Sequence, residues 1–204
     1  MSASRALAVA RAWGLGGGLA VALALAAVAT IAGDVSVELP IIENRTTVLN
    51  ALPVLTATAL GYPMVDRWPE LSRVVAWSPA RLFTLRLLAV VLVTLPVPIA
   101  LVAAGWTVRA ATVVLGFVGV AALLVTVLGL WYWVPMFGVL VAWVQVRPAY
   151  LEVTASTAWL VGSLGLLLLG GAGYVAVESW WVRRQVSAAA PPDRPRSDSP
   201  RRAR

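Results

Sequence analysis

Stretches without a charged residue alternate with short arginine-bearing segments along most of the chain. Residues 14–32, 87–104 and 158–177 are apolar and charge-free over 19, 18 and 20 positions, close to the roughly 20 residues a helix needs to cross about 30 Å of hydrocarbon. A fourth run, 110–146, holds 37 positions without a charge. As a single helix it would extend about 55 Å at ~1.5 Å per residue, so it is expected to fold back. Gly129 to Pro135 marks the turn, because a glycine, a proline and the interface-seeking rings of Trp131, Tyr132 and Trp133 coincide there. The run then divides into 110–130 and 133–146, the second short enough to be re-entrant. Residues 48–65 form the weakest candidate, since Asn50, Pro53, Thr56, Thr58 and Pro63 dilute its apolar character. A helix of that kind suits the inside of a bundle better than a lipid-facing position. The pattern predicts an all-α, polytopic transmembrane bundle of six spans: 14–32, 48–65, 87–104, 110–130, 133–146 and 158–177.

Charge sets the expected orientation. All 16 basic residues are arginine, with nine acidic residues and no Lys, His or Cys. With both ends on one side, 13 of the 16 arginines fall on that side and only Arg45, Arg109 and Arg147 on the other, which makes the first side cytoplasmic under the positive-inside rule. The expected location is a bacterial inner membrane, with N- and C-termini cytoplasmic. Most of the tryptophans agree: Trp13, Trp68, Trp77, Trp131, Trp133, Trp180 and Trp181 map to the inner interface, Trp106 and Trp159 to the outer one, and Trp143 to neither clearly. Arg5 and Arg11 ahead of 14–32 also fit a secretory leader, although the apolar stretch is longer than usual for one, and its removal would leave the downstream orientation unchanged.

The same composition excludes much chemistry. Without Lys, His or Cys there is no Walker lysine, Schiff base, histidine base, thiolate or Cys/His zinc site. The outer carboxylates Asp34, Glu38, Glu43 and Glu152 read as solvated charge, so neither an enzyme nor a cofactor site is expected. Residues 1–186 make one transmembrane domain, followed by an Arg/Pro/Ser-rich tail, 187–204, expected to be disordered and to act as a topology anchor.

Between the second and third spans, Trp68-Pro69-Glu70 reads as a helix start and Ser78-Pro79 as its end. Leu71, Val74, Val75 and Trp77 give this segment, 69–77, an apolar stripe, while Glu70 and Arg73 lie on the polar side. A short amphipathic helix along the inner membrane surface follows from that pattern. It serves either as a spacer or as a surface offered to a cytoplasmic partner.

That layout resembles the membrane subunit of an ABC-2-type transporter: six spans, cytoplasmic ends, an Arg-bearing N-terminal segment, and a short basic helix between spans two and three. The likeness covers residues 1 to about 185, with Leu71 to Leu82, including Ser78-Pro79-Ala80-Arg81-Leu82, as its local signature. It is similar in particular to small Trp- and Arg-rich actinobacterial membrane proteins associated with such transporters. The resemblance implies a non-enzymatic permease that moves an apolar or amphipathic substrate, driven by a separate ATPase that docks on the loop helix through Glu70, Arg73, Trp77 and Arg81. A structural or accessory subunit of a larger membrane complex, with a scaffold or immunity role, is the alternative. Lipid, an ATPase or other integral subunits are the expected partners, in an oligomer and without nucleic acid.

Two further groups stand out. Pro96 and Pro98 remove two backbone donors from the third span and predict a kink, with a cavity-lining hinge as the sharper reading. Glu178, at the inner end of the last span, is expected to pair at the interface with Arg183 or Arg184.

Overall fold

The computed structural model describes residues 11, 13–32, 35–38, 45–65, 78–146 and 156–189. Eight α-helices are described: α1 (Leu15–Ile31), α2 (Val48–Gly61), α3 (Pro79–Thr94), α4 (Pro96–Ala103), α5 (Val108–Ala111), α6 (Val113–Leu128), α7 (Trp133–Val146) and α8 (Thr157–Ala189). Short 3-10 turns, Tyr62–Met64 and Gly129–Tyr132, follow α2 and α6. A small antiparallel ribbon, β1 (Ser36–Glu38) with β2 (Arg45–Thr47), was not anticipated by the all-α reading. It pairs Val37 with Thr46 and leads directly into α2.

The helices run alternately up and down. Gly18 at the start of α1 lies against Leu60 and Pro63 at the end of α2, and Gly171 in α8 lies against Leu87 in α3. Across the reversal at Gly129, the rings of Phe117 and Trp143 meet edge to face at 5.2 Å. A straight helix would set residues that far apart in sequence about 39 Å from one another, so the run 110–146 folds back. Gly129, at φ 55° and ψ −122°, supplies a backbone conformation that a side chain would disfavour.

Three helical runs are long and apolar enough to cross a membrane: Pro79–Ala103, Val108–Gln145 and Thr157–Ala188. The stretches Leu15–Ile31 and Val48–Met64 are apolar but shorter. Helix length and composition therefore support three membrane-crossing helices, not the six expected; α7, with 14 residues, reaches only about 21 Å of the ~30 Å required.

Two boundaries also differ from the expectation. The third helix begins at Pro79, eight residues before 87, because proline at the first helical position has a suitable φ and no orphan N–H; Pro79 starts a helix here. Arg81 and Arg86 consequently lie on α3. The last helix runs on through Glu178, Arg183 and Arg184 to Ala189, past Ser187, where the tail was expected to begin.

The helix diluted by Asn50, Pro53, Thr56 and Thr58 is well enclosed. Eight of the fourteen residues of α2 are buried, Thr56 among them, and it packs against α1, α6 and α7. Its hydroxyls are satisfied internally: Thr56 donates to the Leu52 carbonyl (2.7 Å) and Thr58 to that of Val54 (2.8 Å). Polar atoms paired within their own helix cost little in an apolar core.

The tightest contact joins α6 and α8, which run parallel. Gly116 faces Ser163, Gly119 faces Leu166 and Gly170, and Leu123 faces Gly173. A Cβ on Gly116 would lie 3.1 Å from the Cα of Ser163, and one on Gly119 or Gly170 would strike backbone carbonyls. Small residues at these positions let the two backbones touch. Gly18, Gly170, Gly171 and Gly173 also lie close to neighbouring helices, whereas a Cβ added at Gly14, Gly162 or Gly165 would meet nothing within 4 Å.

Candidate functional site: a capped helix end and an aromatic cavity

At one end of the bundle, the 3-10 turn that follows α2 terminates in three successive carbonyls, those of Pro63, Met64 and Val65. Helix C-termini leave such acceptors without intrahelical partners, and here side chains from two other helices take them. Arg86 on α3 donates from Nε to Pro63 (2.7 Å) and from Nη2 to Val65 (2.9 Å). Tyr174 on α8 donates its hydroxyl to Met64 (2.9 Å). Arg86 is 5% exposed and Tyr174 fully buried. The guanidinium also lies 5.9 Å from the centre of the Trp13 ring, within cation–π range, and Tyr174 meets Phe83 edge to face at 5.7 Å. Tyr132, from the reversal after α6, donates to the Thr58 carbonyl and sits over Gly61.

Sequence reasoning read Arg86 only as one more cytoplasmic charge. The available signal was Pro79: a helix starting there places Arg86 two turns inside it, where a guanidinium needs fixed acceptors.

Arg81 is exposed near the start of α3. Glu70, Arg73 and Trp77, with the rest of the expected loop helix 69–77, lie outside the described residues. Arg183 donates from Nε to the Ser179 carbonyl (3.3 Å), and Arg184 lies 4.9 Å from the centre of the Trp180 ring. Glu178 lines a cavity of about 220 Å³ together with Val65 and Gln185.

Pro96 and Pro98 interrupt the third helical run over a single residue. Leu95 keeps helical dihedrals (φ −54°, ψ −33°), and its N–H takes the Leu92 carbonyl (3.2 Å) that a residue other than Pro96 would have bonded. Thr94 donates back to Val90 (2.8 Å) just before the break. Neither proline lines the cavities described here, so the hinge reading gains no cavity.

The opposite end of the bundle carries an apolar cavity of about 380 Å³ between α6, α7 and α8. Trp143 and Trp159 stack at 5.7 Å and 24°, Phe117 closes on Trp143, and Gly162 and Ser163 complete the wall. Trp143 donates Nε1 to the Asn50 carbonyl (2.7 Å), which fixes its ring and places it at the Trp159 end. The Nε1 of Trp159 is buried with no acceptor among the described residues. The stack joins tryptophans 16 positions apart on different helices, and no local sequence pattern signals it.

An all-α bundle of apolar helices, three of them long and apolar enough to cross a membrane, is the class of protein this architecture defines. No family model, curated protein or solved structure matches the chain.

Proposed function

We propose that this chain is the non-enzymatic permease subunit of an ABC-type transporter, with cytoplasmic ends in a bacterial inner membrane. Its substrate is apolar or amphipathic, and a separate ATPase supplies the energy. The observation that carries this reading is the cavity walled by Phe117, Trp143 and Trp159: it falls in the ~300–1,000 Å³ range of small-molecule sites, its lining is apolar, and it offers one buried donor. Five described arginines, Arg11, Arg81, Arg86, Arg183 and Arg184, gather at the far end of the bundle, where a cytoplasmic ATPase would dock.

Co-purification from the native membrane tests the partnership, with a P-loop ATPase expected in the complex. Reconstituted complex then reads the two surfaces separately. Gly162→Leu places a side chain in the cavity from a position with no neighbour within 4 Å, and should abolish substrate-stimulated ATP hydrolysis while basal hydrolysis persists. Glu70→Ala combined with Arg73→Ala should uncouple hydrolysis from transport with the bundle intact, since surface charge contributes little to stability. Full activity in both variants, or a complex holding only other integral subunits, replaces the permease reading with the accessory one.

A further inference from the structure

A third concavity opens on the outer flank of the bundle, between α3 and α8. It encloses about 540 Å³, and Leu87, Val91, Leu168, Gly171 and Ala172 supply its apolar walls. Both helices belong to runs long and apolar enough to cross a membrane. Small residues of α8, namely Gly171, Ala172 and Ala176, line the groove, with Leu87 of α3 lying over Gly171.

One end of this groove is polar, and two groups there are unusual. Ser179 is 1% exposed, and its hydroxyl has no hydrogen-bond partner among the described residues. A buried hydroxyl without a partner costs roughly 1–3 kcal/mol, so its position on a groove wall calls for an acceptor. Arg183 lies one turn further along α8. Its Nε is held by the Ser179 carbonyl, which orients the guanidinium, while the two terminal nitrogens form no hydrogen bond or ion pair among the described residues. Planar guanidinium edges bind phosphate oxygens in a bidentate manner. Arg184, the next residue, is turned away onto the Trp180 ring.

From the apolar groove and the oriented guanidinium at its mouth, we infer that this groove binds one acyl chain of an anionic phospholipid, with the headgroup phosphate on Arg183. The chain lies along Leu87, Val91, Leu168 and Ala172, and an ester or phosphate oxygen accepts from Ser179. Charge complementarity selects lipid over a second copy of the protein, whose corresponding flank carries the same arginines. The inference rests on membrane integration, and the tests separate the two.

Resistance of the membrane-bound chain to extraction at alkaline pH tests integration alone. Native mass spectrometry of the detergent-solubilised full chain, titrated with phosphatidylglycerol and with phosphatidylcholine of identical acyl chains, tests the groove. A preference of about tenfold for phosphatidylglycerol is expected. Arg183→Gln should remove that preference, and Arg184→Gln should leave it. Ala172→Phe, at an exposed position on the groove wall, should weaken binding of both lipids. Inorganic phosphate should not compete, because it lacks the chain. Equal binding of the two lipids by the unaltered protein overturns the assignment, as does an equal effect of the two arginine variants. The chain has no cysteine, so Ala172→Cys gives a clean cross-linking probe. Efficient disulfide-linked dimer formation through it in membranes would give the groove to a second copy and overturn the lipid assignment.

Discussion

Arg86 is buried and bonds two backbone carbonyls of another segment, whereas the one described bond of Arg183 stays within its own helix. Two bonds to one guanidinium, at 2.7 and 2.9 Å, require a planar fork, which an ammonium cannot reproduce. Arg86→Ala should therefore destabilise the bundle by about 2–3 kcal/mol, since hydrogen bonds from charged donors contribute roughly 1.5–3 kcal/mol and the two stranded carbonyls stay enclosed. Arg86→Lys should recover only part of that loss. Arg81→Ala, exposed on the same helix, should stay within about 0.5 kcal/mol. Thermal unfolding in detergent ranks the three; equal melting of the Arg81 and Arg86 variants would refute the capping role. Composition assigned Arg86 the right end of the molecule but the wrong environment. Charge counts treat every flanking arginine alike, and burial depends on where the helix begins.

Among the helices, the pair α6 and α8 is held by the absence of side chains. Gly170→Ala would drive a methyl into the Gly119 carbonyl. Relief requires the two backbones to separate along their whole contact, so a loss of about 1–3 kcal/mol or more is expected. Gly165→Ala, on the same helix with no neighbour within 4 Å, should be neutral or stabilising by about 0.5–1 kcal/mol, because alanine is the better helix former. Melting temperatures in detergent distinguish the two outcomes. The close contact at Gly116 and Gly119 was not legible in the sequence. Those two sit within the long charge-free run, where hydropathy is uniform and partner contacts leave no periodic mark. The reversal at Gly129 was legible because glycine, proline and three rings cluster there, and the buried character of α2 was legible from its threonines. The β1–β2 ribbon was not, since three-residue strands in a polar loop carry too little alternation to register.

For the molecule as a whole, the proposed topology places the arginine-rich end of the bundle in the cytoplasm. Reporter fusions after Arg45, Ser78, Arg109, Arg147 and Arg204 should read outside, inside, outside, outside and inside. An outside signal at Arg204 would mean that α7 enters and leaves on one face, as its 14 residues permit. The capped end of α2 also sets an order of events during synthesis. The carbonyls of Pro63 and Val65 are made 23 and 21 residues before the guanidinium that receives them. At about 5–20 residues per second, they wait on the order of one to five seconds for Arg86 to leave the ribosome. For a chain entering a bilayer as it grows, the end of α2 is unfinished throughout that interval, and an arginine inside α3 has no apolar path of its own. Arg86 thus joins two segments whose connection is complete only once both have been made.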